Sequence, residues 1–483
     1  MDIRSMKRQM LLMAVLLITN FMAVAQTAPD ITDMSVKPRI IVTTDGEADD
    51  RASMVRFLLS SNEFDIEGII NSSSQFHWVG GTGWNAFHPV DWVKEYIGYY
   101  SKIYPNLLLH DNSYPSPEYL LSKWKVGNID GGGNYDERTE GARFIADVLL
   151  KEGDSRPIWI QAWGGCNTLA AALKIIQEGH PDKMLEVARK MRLFLIWEQD
   201  EAYQKYIRPN WEHFNIPTII SDQFDCMAYI WDKVLPQHVQ LYFGKNWMTE
   251  NIIQRHGVLC GAYPNKNGAF NGEGDTPAFL HTIDTGLRNM ENPGYGGWGG
   301  RYVKIRNNVW LDPAPSSDFA YPNGQWGFSN SWSKKMEHYT DSVNVTIRTN
   351  YFKPIWRWLI DVQNDFAARA DWCVKDYASA NHHPIIRLKN SSLDIKAKIG
   401  EKIVLDASNS EDPDGDKLTF HWWTYLEPST YKGTFSIDSN KRKVSLKIPK
   451  DAHVGDTIHI VCQVSDDGIP ILTKYKRFII EII

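Results

Sequence analysis

From Pro38 onward, short apolar runs alternate with stretches of helical spacing, and this alternation limits the fold more than any other feature. RIIVTTD (39–45), RASMVRFLLSS (51–61) and FDIEGIINSSS (64–74) read as a buried strand, a helix and a second strand. Two parallel strands need a crossover of about this length, so the unit opens a parallel α/β sheet. The pattern returns in TEGARFIADVLLKEG, PIWIQAWGG, NTLAAALKIIQEG, KMRLFLIWEQD and WEHFNIPTIIS. The expected architecture is a Rossmann-like, mostly parallel sheet with helices on both faces, covering 38–377. Between residues 241 and 332 the chain turns rich in Gly, Asn and Trp, as in GEGDTP, NPGYGGWGGRY and NGQWGFSNSW. Long loops over the carboxyl edge of the sheet suit that composition, and open α/β sheets bind ligands there. YFKPIWRWLIDVQNDFAARADWCV reads as a closing helix, followed by a linker at 378–384. Residues 385–483 change to short alternating strands separated by turn signals, the pattern of an all-β immunoglobulin-like sandwich. The acidic turn Asp412 to Asp416 in this region is good turn chemistry without a metal, with a Ca²⁺ site as the alternative reading.

The first residues carry a different signal. Arg4, Lys7 and Arg8 precede the apolar run MLLMAVLLITNFM, and Ala23-Val24-Ala25 supplies a small-x-small cleavage site. Residues 1–25 therefore read as a secretory signal peptide and 26–37 as a linker, which predicts export to the periplasm or the cell exterior. No later run is long and apolar enough for a membrane span. The formal charge is −6 and there is no Lys/Arg block, so nucleic acid is excluded as a partner. Five scattered cysteines (166, 226, 260, 373 and 462) indicate neither a zinc site nor a disulfide framework. The chain has 19 Trp, 21 Tyr and 19 Phe, and flat faces in that number suit a carbohydrate ligand. Oligomeric state is left open.

Chemistry concentrates where the first strand meets the first helix. Asp45, Glu47, Asp49 and Asp50 fall in six residues, and carboxylates this crowded repel unless protonation or a cation offsets them. A hard divalent ion with oxygen ligands is the simplest compensation, and an exposed acidic turn favoured by the helix dipole is the alternative.

This segment resembles the amino-terminal DxDPGxDD motif of nucleoside hydrolases, with Asp45, Asp49 and Asp50 at its later acidic positions and Thr43 at the first. More closely, the chain is similar to the nucleoside-hydrolase-like domain of bacterial proteins named cellulose-binding proteins. That likeness rests on ExDDRASMVRFLL, NSSSQFHW (71–78), GNIDGGGNYD (127–136), WGGCNTLAAAL (163–173), GEGDTP (272–277) and GGWGGRY (296–302), all in order, and it extends to the carboxy-terminal sandwich. The resemblance implies one active-site Ca²⁺ held by Asp45, Asp50, Asp275 and a carbonyl near Asn167. It implies Asp49 as the general base activating water, with inversion at the anomeric carbon. Candidate substrate contacts are Glu47, Asn71, Ser73, Gln75, His77, Trp78, Asn167, Glu198, Gln199, Asp200, Glu273, Trp298 and Arg301.

Many nucleoside hydrolases place a His before the late metal-binding Asp, as a possible leaving-group acid, whereas this chain has Gly274. His281, Glu198, Asp200 and Glu273 are the substitutes the sequence offers. The aromatic residues point to a glycan rather than a nucleobase. The expected function is an exported, Ca²⁺-dependent glycoside hydrolase acting on a carbohydrate from plant or microbial glycan. A noncatalytic carbohydrate-binding (cellulose-binding) protein and a nucleoside hydrolase are the alternatives.

Overall fold

The computed structural model describes residues 36–313 and 349–483. The signal peptide, nearly all of the 26–37 linker and the NGQWGFSNSW run lie outside the described residues. Residues 35–483 form one compact unit.

The alternating pattern folds as its periodicity dictates. Strand β1 (Arg39–Thr44) is buried along its whole length, as a β-branched run covered on both faces should be. It leads through helix α1 (Ala48–Leu59) to β2 (Asp65–Asn71), and helix α2 (Trp92–His110) precedes the short edge strand β3 (Trp124–Val126). Helix α3 (Glu140–Leu150) then returns the chain to β4 (Ile158–Ala162), helix α4 (Asn167–Gly179) to β5 (Met191–Ile196), and irregular turns to β6 (Thr218–Ser221). Helix α5 (Thr276–Leu280) precedes β7 (Val303–Arg306) and β8 (Val309–Leu311), and α6 (Leu359–Trp372) closes the layer.

The sheet order is β3-β2-β1-β4-β5-β6-β8-β7. All neighbours are parallel except β7 and β8. The chain runs outward from β1 in one direction, then restarts at β4 on the other side of β1 and runs the opposite way. The crevice at the carboxyl ends of β1 and β4 is therefore the topological switch point. Register brings the strand ends level there, with Thr44 opposite Asn71, Thr43 opposite Ala162 and Ala162 opposite Leu195.

Residues 385–483 contribute a five-stranded sheet in the order β9 (Asp394–Ala397), β15 (Thr473–Ile482), β14 (Thr457–Ser465), β11 (Thr419–Tyr425), β12 (Asp438–Ser439). An antiparallel pair, β10 (Lys402–Asp406) with β13 (Lys443–Lys447), supplies the second layer. This sandwich has its own apolar core around Trp422, Phe420 and Phe478, while Tyr425, Val461 and Tyr475 join the core of the α/β layers. The join is specific. Tyr475 N donates to Thr285 O and Arg477 N to Gly286 O, and the buried Arg477 guanidinium donates to the carbonyls of Tyr295 (2.6 Å) and Gly296 (2.7 Å). Gly286 is required here, since its φ is +86° and a Cβ would lie 1.9 Å from Tyr475 O.

The five cysteines are all buried and none forms a disulfide. No described helix is long and apolar enough to cross a membrane.

Candidate active site

At the switch point β1 delivers Asp45, fully buried, into the turn that starts α1. Glu47 is the N-cap of α1 and Asp275 the N-cap of α5, yet neither side chain caps its helix. Asp49 and Asp50 occupy the first turn of α1, where the helix dipole favours negative charge. Oxygen atoms of Glu47, Asp49 and Asp50 lie within 4.8 Å of one another, as do ligand atoms of Asp45, Glu47 and His77.

This cluster is short of compensating charge. The cavity beside it is lined by the carboxyls of Glu47, Asp49, Asp50, Asp225 and Asp275 and by no Lys or Arg. Two full charges about 4 Å apart repel by about 4 kcal/mol near a protein surface, so the cluster does not sit fully ionised by itself. Burial, reinforced by Glu47, pushes the Asp45 carboxyl up to about 7. Burial and the neighbouring carboxylates raise Asp49, Asp50 and Asp275 well above the ordinary range. His77 behaves in the complementary way: burial lowers its pKa, but the Glu47 carboxylate, 3.3 Å from Nδ1, raises it overall.

Hydrogen bonding does not close the gap. Neither Asp45 oxygen nor Asp275 Oδ2 has a donor in hydrogen-bond geometry, although Asp50 and Ser74 lie close enough to Asp45 to lower its pKa somewhat. The Thr44 hydroxyl donates to Asp50. The Tyr229 hydroxyl lies 2.7 Å from Glu47 Oε1 and 2.9 Å from Asp49 Oδ1, but it has only one proton to give. A buried set of hard oxygens with unsatisfied lone pairs and excess negative charge fits a hard divalent cation.

The cavity, about 250 Å³, has a second, apolar side. Phe76, from the loop after β2, stacks against Trp197 at the end of β5 (centroids 6.3 Å, interplanar angle 22°), and Phe224 leans on Trp197 from the turn after β6. Trp163 and Ile196 complete that side. Trp197 has φ +64°, a conformation that costs a non-glycine residue energy and tends to persist where surrounding structure imposes it.

Of the residues expected to meet substrate, Glu47 and Gln199 line this cavity, and His77 borders it through Glu47. Several others form the framework behind it. Asn167 Nδ2 donates to Ser73 Oγ and Asn128 O, and its Oδ1 accepts from Ser72 Oγ, so its side chain is committed to holding strand ends together. Asp200 accepts from the backbone of Asn167 and Ala202, Asn71 donates to Val90 O, and Glu198 accepts from Gln204. Gln75 N donates to Gln199 O, and Trp78 is half-buried in the same loop.

Three more of the expected residues also lie outside the cavity lining. Glu273 is fully buried in a paired contact with Arg56 (2.5 and 3.0 Å) and also accepts from Tyr263 and Thr276, which leaves it no face toward the cavity. Trp298 is buried in the core, and the loop that carries it and Arg301 packs on Tyr425 of the sandwich. At Gly274 a Cβ would lie 2.4 Å from Asp49 Oδ2, so a side chain there would require the Asp49 carboxyl to move. Tyr229, Phe224, Asp225, Trp163 and Ile196 enter the site without having been anticipated. Tyr229, Phe224 and Asp225 come from irregular turns whose sequence has no period to read.

Comparison with known proteins identifies the family. The family "Cellulose-binding Sde182, nucleoside hydrolase-like domain" matches residues 39–302, and "Cellulose-binding protein Sde0182, C-terminal domain" matches residues 402–482. A solved structure of a nucleoside hydrolase-related hypothetical protein from Saccharophagus degradans, described as associated with carbohydrate metabolism, is 30% identical with a TM-score of 0.73, covering 93% of this chain and 100% of that one. A plant nucleoside hydrolase aligns at 12% identity and a TM-score of 0.28, over 66% of this chain and 99% of its own. No curated protein matches.

Proposed function

Since the chain belongs to the cellulose-binding Sde182 family with a nucleoside-hydrolase-like domain, we propose that it is an exported, Ca²⁺-dependent glycoside hydrolase that cleaves a small glycan-derived carbohydrate. The observation that carries this reading is a single cavity with a carboxyl-rich side and an aromatic side. A sugar presents hydroxyls to the first and a flat C–H face to the second. The volume, somewhat below that of pockets for drug-sized ligands, suits about one sugar ring.

Asp45, Asp50 and Asp275, with a carbonyl near Asn167, would hold the cation, which when bound would offset the cluster's charge and fix sugar hydroxyls. The rest is the work of side chains. Asp49 accepts a proton from the attacking water. Tyr229 fixes the Asp49 carboxylate by its 2.9 Å contact. Phe76, Trp197 and Phe224 exclude bulk water and orient the ring. The reacting carbon passes toward an oxocarbenium-like state, and attack from the Asp49 side inverts its configuration.

The family's description favours a second reading, carbohydrate binding without turnover. Chromatographic product release from oligosaccharides and nucleosides, by wild type and by Asp49→Ala, separates them. Turnover lost in the variant with ligand binding retained supports the hydrolase. Glycan retention by both proteins without product from either supports pure binding.

A further inference from the structure

We propose that Cys260 and Cys373 form a disulfide in the exported protein, a bond that ties the segment between β6 and α5 to the closing helix α6. This goes beyond the hydrolase reading and depends only on the export part of it.

The fold brings these two cysteines, far apart in sequence, to one contact. Cys373 is the C-cap of α6, and Cys260 lies on the short helix Gly257–Gly261. Helical spacing puts Gly257 and Cys260 on one face, and that face meets the end of α6. A Cβ built on Gly257 would lie 3.6 Å from Cys373 Cβ, and His256 Nε2 lies 3.3 Å from Asp371 Oδ1. The thiols of Cys260 and Cys373 are hydrogen-bond neighbours across this contact. Bond formation asks only that sulfurs already beside each other close to about 2.0 Å. Cys166, Cys226 and Cys462 sit elsewhere, before α4, on the turn after β6 and on β14.

In a reducing compartment such a pair packs as two small apolar groups. Residues 1–25 read as a secretory signal peptide, and in the oxidising compartment beyond the membrane adjacent thiols are converted to disulfides. Cys260 is fully buried and Cys373 is 4% exposed, so the finished fold shields both sulfurs from oxidant and reductant alike. The bond therefore forms while the chain folds after export, and the closed core then protects it. What the thiols give up is small, since Cys373 Sγ reaches Arg369 O at 3.4 Å and a thiol is a weak donor.

The exchange balances with a disulfide donor, either oxidised glutathione or the disulfide of an oxidoreductase. One cysteine thiolate attacks a donor sulfur and displaces the first donor thiol, and the second thiolate attacks the mixed disulfide and displaces the other. Two electrons and two protons leave with the donor, which departs as two thiols. The loop so closed carries Asp275 and the edge strands β7 and β8, and in the chain-entropy account long loops gain most from closure.

The test uses the chain from Gln26 onward, exported to a bacterial periplasm behind a standard leader, so that the result does not depend on its own first residues. A second sample is purified reduced and refolded from urea in mixed oxidised and reduced glutathione. Each is alkylated in denaturant without reduction, digested and mapped by mass spectrometry. The expected result is one linked peptide pair holding Cys260 and Cys373, with Cys166, Cys226 and Cys462 alkylated. Alkylation of Cys260 and Cys373 in either sample, or their pairing with any other cysteine, would overturn the proposal. The readout needs no substrate, so failure of the hydrolase reading is seen separately, as absence of product.

Discussion

Replacing Arg56 by Met tests the placement of Glu273, the point at which structure and sequence expectation differ most. Arg56 is 2% exposed and Glu273 fully buried. The guanidinium donates to both Glu273 oxygens, to Gln363 Oε1 at 2.6 Å and to Val362 O at 3.1 Å, and it lies 3.9 Å from the centre of the Phe366 ring. Removing the cation leaves a buried carboxylate with only the Tyr263 and Thr276 hydroxyls as donors. Breaking a buried pair in this way costs about 3–5 kcal/mol. Adding Glu273→Gln to the Met variant removes the stranded charge while keeping an acceptor for one of the two hydroxyls, so the double variant should recover about 2 kcal/mol. Urea unfolding followed by Trp fluorescence reads the differences, provided the slopes agree. A Met variant within about 1 kcal/mol of wild type, or a double variant no more stable than the single, would refute the placement. If Glu273 touched substrate instead, Glu273→Gln would raise KM and leave stability unchanged.

Three further outcomes follow from the structure. Tyr229→Phe removes the hydroxyl in reach of Asp49 and Glu47; hydrogen bonds to charged groups contribute about 1.5–3 kcal/mol, so urea unfolding should show a loss of up to about that size, and kcat should fall in the same variant. Ca²⁺ added to EDTA-treated protein should raise stability by about 2.7 kcal/mol at a hundredfold excess over Kd, measured by thermal unfolding, and Asp275→Asn should abolish the rise. Burial holds His281 and His459 down to about 3, below the unfolded value of 6.5, so the native state binds fewer protons in that window. Their contribution is complete above about pH 6.5 and is lost as pH falls toward about 3, by up to about 1.4 kcal/mol per pH unit for each, and His281→Phe should flatten the slope in a pH series of urea midpoints.

The carboxyl side of the site was legible because one strand end and one helix start contain most of it. Asp45, Glu47, Asp49 and Asp50 are contiguous, and crowded acids before a helix announce themselves by their charge. The aromatic side was legible only in part. Phe76 and Trp197 follow strands whose ends could be placed, but Phe224, Asp225 and Tyr229 lie on short turns where neither a 3.6 nor a 2.0 period marks what faces inward. Glu273 shows a different limit. An acid next to Gly274-Asp275 reads as part of the site until its partner Arg56, 217 residues away in sequence, is known. Trp298 fails for a related reason, because a Trp in a Gly-rich loop has the same sequence signature whether it stacks on a sugar or seals an interface.

That interface bears on the chemistry although it lies outside the cavity. Asp275 presents its carboxylate from the N-cap of α5, and the chain leaving α5 has little regular structure until β7. This chain packs first into the α/β core, with Phe279 against Phe57 and Trp163, and then onto the sandwich: β15 bonds the backbone at Thr285 and Gly286, Arg477 holds the carbonyls of Tyr295 and Gly296, and Arg288 pairs with Asp394 at 2.9 Å. On the near side, Glu273 is fixed by Arg56 from α1, the helix that carries Asp49 and Asp50. Asp275 is thus tethered from both directions, to α1 through two residues and to the sandwich through ten. A carboxylate that must share one small volume with Asp45, Asp49 and Asp50, against their repulsion, needs such restraint, since a free loop would swing outward and relieve the charge.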